Sequence, residues 1–297
     1  MDTRKAVYAT ITFFSIFERP ITKEEIRQYL YQATAGKVEV EANLDQLVKE
    51  GLVAGRYDFY TLKDHTPALK AQKNKFEIST KLLKKACRWA KVLKMAPFVR
   101  AIIVTNSVAM HNADEKSDID LVIVADKNIY IAKSFIWTLL NLFNQYEKKD
   151  SKSAKFSLGY AFSTDNLDLS RDNFKHPDPI AYYTTAMYLP LFSIGGYENL
   201  IRKNRWVSEK LPNFRPYKNY DQRKSLLQLL LESFLKGKPG EWIEKKLADI
   251  HIKHTWSLPE NHWKSAYTIA TTSRLKLNAI EASTRVKHEF NARLKAL

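Results

Sequence analysis

Residues 101–125, AIIVTNSVAMHNADEKSDIDLVIVA, constrain the fold of this chain more than any other stretch. Two apolar, largely β-branched runs, IIV at 102–104 and LVIV at 121–124, have the length and composition of buried strands. The small polar residues after the first run, Thr105, Asn106 and Ser107, predict a tight turn into a short helix. Free backbone N–H groups at a helix start favour an anion. We therefore expect a strand, an anion-binding turn, a loop and a second strand.

Two aspartates open the second strand. Asp118 and Asp120 are one residue apart, so on a strand they project to the same side while Ile119 points into the core. Neighbouring carboxylates repel each other unless a cation lies between them. Carboxylate oxygens suit Mg²⁺, which takes its remaining ligands from water and substrate phosphates. The pattern predicts that Asp118 and Asp120 bind a metal ion, Mg²⁺ or Mn²⁺.

The order of these residues resembles a known signature. Asn106-Ser107, followed eleven residues after the serine by Asp118-Ile119-Asp120, is similar to the motif of the DNA polymerase β-like nucleotidyltransferase superfamily. That motif is a Gly-Ser or Gly-Gly turn, a short helix and Asp-x-Asp on the next strand. Asn106 replaces the first glycine, and Asn tolerates positive φ better than most residues. The resemblance implies catalytic Asp118 and Asp120, an NTP substrate, and phosphate binding by Thr105, Asn106 and Ser107.

Two further site residues are predicted less directly. Many members of that superfamily carry a third carboxylate on the following strand, as general base for the attacking hydroxyl. The run FSLGYAF at 156–162 contains none. Asp165 and Asp168 follow it, and Asp165, the nearer one, is the predicted third catalytic carboxylate. Deprotonation by a metal-bound hydroxide and the lack of any general base stay open as alternatives. Lys133 lies early on an amphipathic helix predicted at 129–145 and is expected to reach a nucleotide phosphate. An ordinary surface lysine is an equally open interpretation.

The first 62 residues have the pattern of a winged helix. A helical period over 3–17 is followed by Thr22 and Glu25, spaced as a capping box, and by a third helix at about 40–50 that ends at Gly51. A hairpin around Gly55 completes the motif. The third helix bears four acidic residues and one lysine, so it would meet DNA phosphates with net negative charge. The sequence favours packing on the next domain or on a partner protein over DNA reading.

Basic residues dominate the next segment, predicted as one long connecting helix over 63–96. The buried stripe of this helix is predicted to consist of Ile78, Leu82, Leu83, Cys87, Ala90, Val92 and Leu93. Residues 63–100 contain eleven Lys or Arg against two acidic residues. A basic helical face that leads into the catalytic turn can guide a polyanion, although a solvated face explains the charge equally well. The residues predicted to contact nucleic acid are Lys84, Lys85, Arg88 and Lys91.

The chain therefore has a mixed α+β class. Residues 1–62 are predicted as a winged-helix domain, 63–96 as the basic helix, 97–172 as a nucleotidyltransferase core with a short mixed sheet, and 173–297 as an all-helical C-terminal domain. Residues 97–213 also resemble a group of largely uncharacterised bacterial nucleotidyltransferase-domain proteins. That likeness rests on a P-F-V-R strand, the D-I-D strand, an N-L-D-L segment and an N-R-W helix in this order.

Composition limits the possible partners and the compartment. The chain has 48 Lys and Arg against 32 Asp and Glu, a formal net charge of +16 that favours contact with a polyanion, nucleic acid first. The single cysteine, Cys87, excludes an intramolecular disulfide and a cysteine-based zinc site, and fits a reducing cytoplasm. No signal peptide and no membrane-spanning run is expected, because each apolar stretch is short and interrupted by polar residues.

The resulting functional prediction is a Mg²⁺-dependent nucleotidyltransferase. It would move NMP from an NTP to an acceptor hydroxyl and release pyrophosphate, with a nucleic-acid 3′ end as the expected acceptor, either RNA such as tRNA or single-stranded DNA. Tyr182, Tyr183 and Trp206 are candidates for stacking a base, although core packing is the commoner role. Two alternatives remain open: nucleotide transfer to a protein or small molecule, and an inactive fold that only binds nucleic acid or a partner.

Overall fold

The computed structural model describes residues 1–147, 154–170, 179–258, 268–277 and 280–295. It has a mixed α/β architecture with two sheets. The helices and strands, numbered in chain order, are α1 (Thr3–Ile16), β1 (Ile21–Thr22), α2 (Lys23–Gln28), α3 (Lys37–Lys49), β2 (Val53–Arg56), β3 (Phe59–Leu62), α4 (Pro67–Leu93), β4 (Val99–Val104), α5 (Asn106–Ala109), β5 (Ile119–Ala125), α6 (Ile129–Leu142), β6 (Phe156–Ser163), α7 (Pro179–Ala186), β7 (Leu189–Ser193), α8 (Gly196–Lys203), α9 (Trp206–Lys210), α10 (Leu226–Phe234), α11 (Lys238–Ser257), β8 (Ile269–Thr271), β9 (Arg274–Lys276) and α12 (Ile280–Lys295).

Local sequence signals account for the N-terminal elements. The predicted capping box is present, because Thr22 Oγ1 accepts from the Glu25 N–H while the Glu25 side chain accepts from the Thr22 N–H. Gly51 follows α3 with φ 74°, a conformation that glycine adopts without strain. The hairpin turns at Tyr57 and Asp58, both at positive φ, and not at Gly55. Strands β1, β3 and β2 form one antiparallel sheet in that order.

The long basic helix also forms, with a buried face different from the predicted one. Leu82, Ala90 and Leu93 are buried as expected. Cys87, predicted to be inward, is exposed, because the buried row passes through Ala86 instead. The large apolar residues of this row pack on one face of the central sheet, so α4 is fixed to the core along that row.

A six-stranded sheet in the order β7-β4-β5-β6-β9-β8 holds the candidate site. Strands β5 and β6 are parallel, with Asp120 opposite Ser157 and Ala125 opposite Ser163. The other neighbouring pairs are antiparallel. Strand β5 is almost wholly buried, which explains its continuous apolar run.

The prediction of an all-helical C-terminal region is wrong. Strand β7 pairs with β4 at one side of the sheet, and the β8–β9 hairpin extends the sheet at the other side. Within the described residues, 269–276 form this hairpin, and the last helix is described from Ile280 onward. Short strands of three to five residues are decided by the free edges that they pair with, and those edges come from distant sequence.

The N-terminal core takes residues from both ends of the chain. Phe13 of α1 stacks on Tyr183 of α7 with ring centroids 4.0 Å apart, and Phe290 of α12 packs in the same cluster. Tyr182 and Tyr183 are buried there, so they are unable to stack a base as predicted. No helix among the described residues combines the length and the apolarity that a bilayer crossing requires.

Candidate active site

The turn after β4 has the conformation that its glycine-like position requires. Asn106 adopts φ 56°, in the left-handed region that asparagine tolerates. Its side-chain Nδ2 donates to Asp120 Oδ2 over 2.9 Å, so the residue that replaces glycine also holds the second aspartate. The Thr105 N–H donates to the Asp120 carbonyl over 3.1 Å, which joins turn and strand a second time. Ser107 is half-buried, and its carbonyl accepts from the Asn112 N–H.

Asp118 and Asp120 flank Ile119 at the start of β5. Ile119 is fully buried while both aspartates remain half-buried, as strand alternation predicts. Asp118 Oδ1 accepts from the Lys155 N–H over 3.2 Å. Burial raises the pKa of Asp120, hydrogen bonds from Asn106 and Ser157 oppose that rise, and the charge of Asp118 adds to it. The two carboxylates therefore interact electrostatically at one edge of the sheet.

A third carboxylate lies beside this pair, and it was not predicted. Glu147 belongs to a short extended segment next to the start of β6, where its N–H donates to the Phe156 carbonyl over 3.1 Å. The pKa of Glu147 is raised to about 7. Burial is the largest cause, and the charge of Asp118, a hydrogen bond with Asp118 and the charge of Asp120 raise it further. Glu147 precedes β6 by nine residues in sequence, so no local pattern indicates that it returns to the strand.

These groups surround a cavity of about 340 Å³. Asn106, Asp120 and Glu147 form its polar wall, together with Ser157. The other residues that line it are Tyr146, Leu158, Gly159, Tyr160 and Leu277. Ser157 interacts with both Asp120 and Glu147, which makes it a further residue of the site that the sequence did not reveal. The cavity is therefore lined by carboxylate, amide and hydroxyl groups together with aromatic and apolar residues.

The carboxylates fit a divalent cation in kind. Asp118, Asp120 and Glu147 are oxygen donors. Burial and neighbouring negative charge raise the pKa values of Asp120 and Glu147, and a cation would relieve that cost of ionisation. Within the described ranges, no three His, Cys, Asp or Glu side chains are already arranged as a complete ligand set.

Asp165 does not join this cluster, so its prediction as the third carboxylate is wrong. Because β5 and β6 are parallel, Ser157 lies beside Asp120 while Ser163 lies beside Ala125. Six residues of strand separate these two positions by about 20 Å. Asp165 follows Ser163 at the far end, where its side chain is 62% exposed and lies 4.0 Å from Lys127.

Lys133 is also misassigned as a phosphate ligand. Helix α6 begins beyond the far end of β5, where Glu244 of α11 accepts from the N–H groups of Tyr130 and Ile131. Lys133 is buried near His251 of α11, and burial lowers its pKa to about 8. Its direction is set by the packing of α6 on α11, away from the aspartates.

The basic residues of α4 divide into two groups. Lys84, Arg88 and Lys91 are exposed. Lys85 is half-buried, and its Nζ donates to the Ala154 carbonyl over 2.8 Å beside the Phe156 ring. Burial lowers the pKa of Lys85, and the charges of Lys155 and Arg88 lower it further while Asp118 opposes them. The basic face therefore reaches the Asp118 side of the site through Lys85.

The loop between the turn and the aspartates is tied to the N-terminal unit. The Arg19 Nε donates to the Met110 carbonyl, and another of its nitrogens pairs with Glu25. Asn112 Nδ2 donates to the Phe17 carbonyl over 3.0 Å. These contacts hold residues 110–112, and with them the turn at 105–109, against the first 30 residues of the chain.

The chain was compared with known proteins in three ways. Searches against models of protein families, curated proteins and solved structures found no match.

Proposed function

We propose that the chain is a Mg²⁺-dependent nucleotidyltransferase whose site is built from Asp118, Asp120 and Glu147. One contact carries the proposal, because it joins the turn after β4 to the acidic cluster. Asn106, in the left-handed conformation, donates a side-chain hydrogen bond to the Asp120 carboxylate. Glu147 supplies the third carboxylate that the sequence lacked on the following strand. The first 62 residues are interpreted as a winged helix, and residues 97–170 with β7 as the nucleotidyltransferase core.

Asp118 and Asp120 would hold the metal ion. When bound, Mg²⁺ neutralises phosphate charge and lowers the pKa of an oxygen that coordinates it. The Ser107 side chain and the backbone of the turn at 105–107 would orient the triphosphate. The cavity beside Asp120 has room for part of a nucleotide, with Tyr146 and Tyr160 as its aromatic residues.

Glu147 is the best-placed general base. Its carboxylate lies within hydrogen-bonding reach of Asp118, beside the proposed metal ligands, where it can accept a proton from an attacking hydroxyl. The new bond forms between that hydroxyl oxygen and the α-phosphorus, the bond to pyrophosphate breaks, and the proton passes to the Glu147 carboxylate. Most of the rate enhancement would come from positioning and charge neutralisation, since the acidic groups are already fixed by Asn106, Ser157 and the backbone.

The basic surface favours a nucleic-acid 3′ end as acceptor. Lys85, Arg88 and Lys155 lie close enough to influence one another, and Lys85 also interacts with Asp118. A phosphodiester chain lying along this side of the site would be neutralised by them.

A labelled-NTP transfer assay tests the proposal. Each α-labelled NTP is incubated with Mg²⁺ and with tRNA, single-stranded DNA or protein as acceptor. Label should pass to a nucleic acid, and Asp118→Ala, Asp120→Ala and Glu147→Gln should each remove at least about 100-fold of the rate. Asp165→Asn is the matched control and should retain full activity. Label on protein alone would move the proposal to protein nucleotidylation, and no transfer to any acceptor would refute it.

A further inference from the structure

Helix α10 presents its apolar side to solvent and its polar side to the protein. Leu226 and Phe234 are 80% and 77% exposed, and Leu230 between them is 58% exposed. Leu227 and Leu229 are exposed as well. In a helix that only covers a core, such residues would point inward.

The inward side is held by specific polar contacts. Gln228 Nε2 donates to the Val99 carbonyl over 2.8 Å, and Glu232 Oε1 accepts from the Phe98 N–H over 2.8 Å. The Arg100 guanidinium pairs with both Glu232 oxygens. These bonds fix the rotation of α10 about its axis, so the leucines are directed outward by the fold itself.

The exposed residues have the spacing of a helix-packing seam. Leu227, Leu230 and Phe234 are three and four residues apart, which places them on one stripe, with Leu226 next to it. The nine residues of α10 span about 13 Å, enough for the contact region of one partner helix. An apolar surface of this kind on a folded protein marks a contact site.

Charge selects the partner. The exposed charged residues that flank α10 are Arg223, Lys224, Lys236 and Lys238, all basic and located at both ends of the helix, and Arg223 also pairs with Asp221. The one acidic residue between 222 and 238, Glu232, is buried and paired with Arg100. A partner helix with acidic residues at both ends of its apolar stripe therefore complements this surface.

The same charges disfavour other occupants. A second copy would place basic ends opposite basic ends in either helix direction. A helix that lies on a membrane has lysines on its polar side, whereas the polar side of α10 carries Gln228 and Glu232 and is buried in the protein.

We infer that α10 docks an amphipathic helix of another protein, with a leucine-type apolar stripe and acidic flanks. The occupant is a protein segment, and the site is distinct from the cavity at Asp120. The inference stands independently of the proposed transfer activity.

Fluorescence anisotropy with a designed peptide tests this inference. The probe is a labelled helical peptide of about 20 residues with leucines on one stripe and glutamates beside it, and its counterpart has lysines in place of the glutamates. The acidic peptide should bind the full chain about tenfold more tightly or better, and salt should weaken the complex. The double variant Leu227→Ser/Leu230→Ser should weaken binding about tenfold.

Leu142→Ser is the matched control, since Leu142 is 74% exposed on α6, and it should leave binding unchanged. Circular dichroism establishes that each variant is folded. Three results would overturn the inference: equal binding by the double variant, sedimentation with anionic phospholipid vesicles that requires these leucines without peptide binding, or self-association that the same double substitution abolishes.

Discussion

Glu147→Gln is expected to stabilise the folded protein at alkaline pH while it removes transfer activity. The folded chain holds the pKa of Glu147 at about 7, against an ordinary value of 4.5. Its raised pKa means that the folded state binds the Glu147 proton more tightly than the unfolded chain. This stabilising contribution is fully present below pH 4.5 and is lost as pH rises through about 7.

The structure bounds the size of this effect. A rise of the pKa from 4.5 to about 7 corresponds to at most about 3 kcal/mol. Glu147 is only half-buried, so solvent screening reduces the expected value to about 1–2 kcal/mol. Glutamine keeps the shape of the side chain without the charge that repels Asp118 and Asp120.

Urea denaturation at pH 5 and pH 8 provides the measurement. Glu147→Gln should raise the free energy of unfolding relative to the unsubstituted chain. This increase should be about 1–2 kcal/mol larger at pH 8 than at pH 5. Asp165→Asn, at an exposed position, should show no such difference. Adding Mg²⁺ at pH 8 should stabilise the unsubstituted chain and remove most of the advantage of the variant. A gain equal at both pH values would refute the reasoning that Glu147 is held among the aspartates.

Three further substitutions test other parts of the structure. Asn106→Ala should lower the free energy of unfolding in urea by about 1 kcal/mol more than Asn106→Gly does, because only alanine is strained at φ 56°. An equal loss in the two variants would contradict the left-handed turn. Arg19→Met should lower the free energy of unfolding by about 3 kcal/mol, since Glu25 loses its buried partner; a loss under about 1 kcal/mol would exclude the described contact. Burial would raise the pKa of Asp221, but its ion pair with Lys94 and its hydrogen bonds from Arg223 outweigh burial and lower that pKa to about 2. The stability that these bonds contribute, present above pH 3.8, should therefore fade as pH falls towards 2. On acidification, the free energy of unfolding of Asp221→Asn should fall by about 1 kcal/mol less than that of the unsubstituted chain. An equal fall in both proteins would argue against these contacts of Asp221.

Several elements could be predicted because their causes are local. The capping box of Thr22 and Glu25 and the turn at Gly51 depend on residues a few positions apart. Strands β4 and β5 could be recognised because they are buried on both faces over most of their length and are therefore largely apolar. The side-by-side placement of Asp118 and Asp120 followed from the two-residue period of a strand.

Other features depend on pairings that the sequence does not reveal. Parallel pairing of β5 with β6 carries Asp165 about 20 Å away from the aspartates, although both lie near strand ends. The hydrogen bond from the Glu147 N–H to the carbonyl of Phe156, nine residues later at the start of β6, brings Glu147 back beside the aspartates. Lys133 sits on an amphipathic helix in either interpretation, and only the packing of α11 decides that its side chain is buried.

The sequence by itself therefore determined the strand, turn and Asp-x-Asp unit, since backbone geometry and burial act there over neighbouring residues. The tertiary structure decided which third carboxylate completes the cluster and which side of α10 faces solvent. Both depend on contacts between distant segments, Glu147 with Asp118 and Glu232 with Arg100. The sequence around a charged residue is the same whichever way its side chain points, and only the tertiary structure decides which groups it contacts.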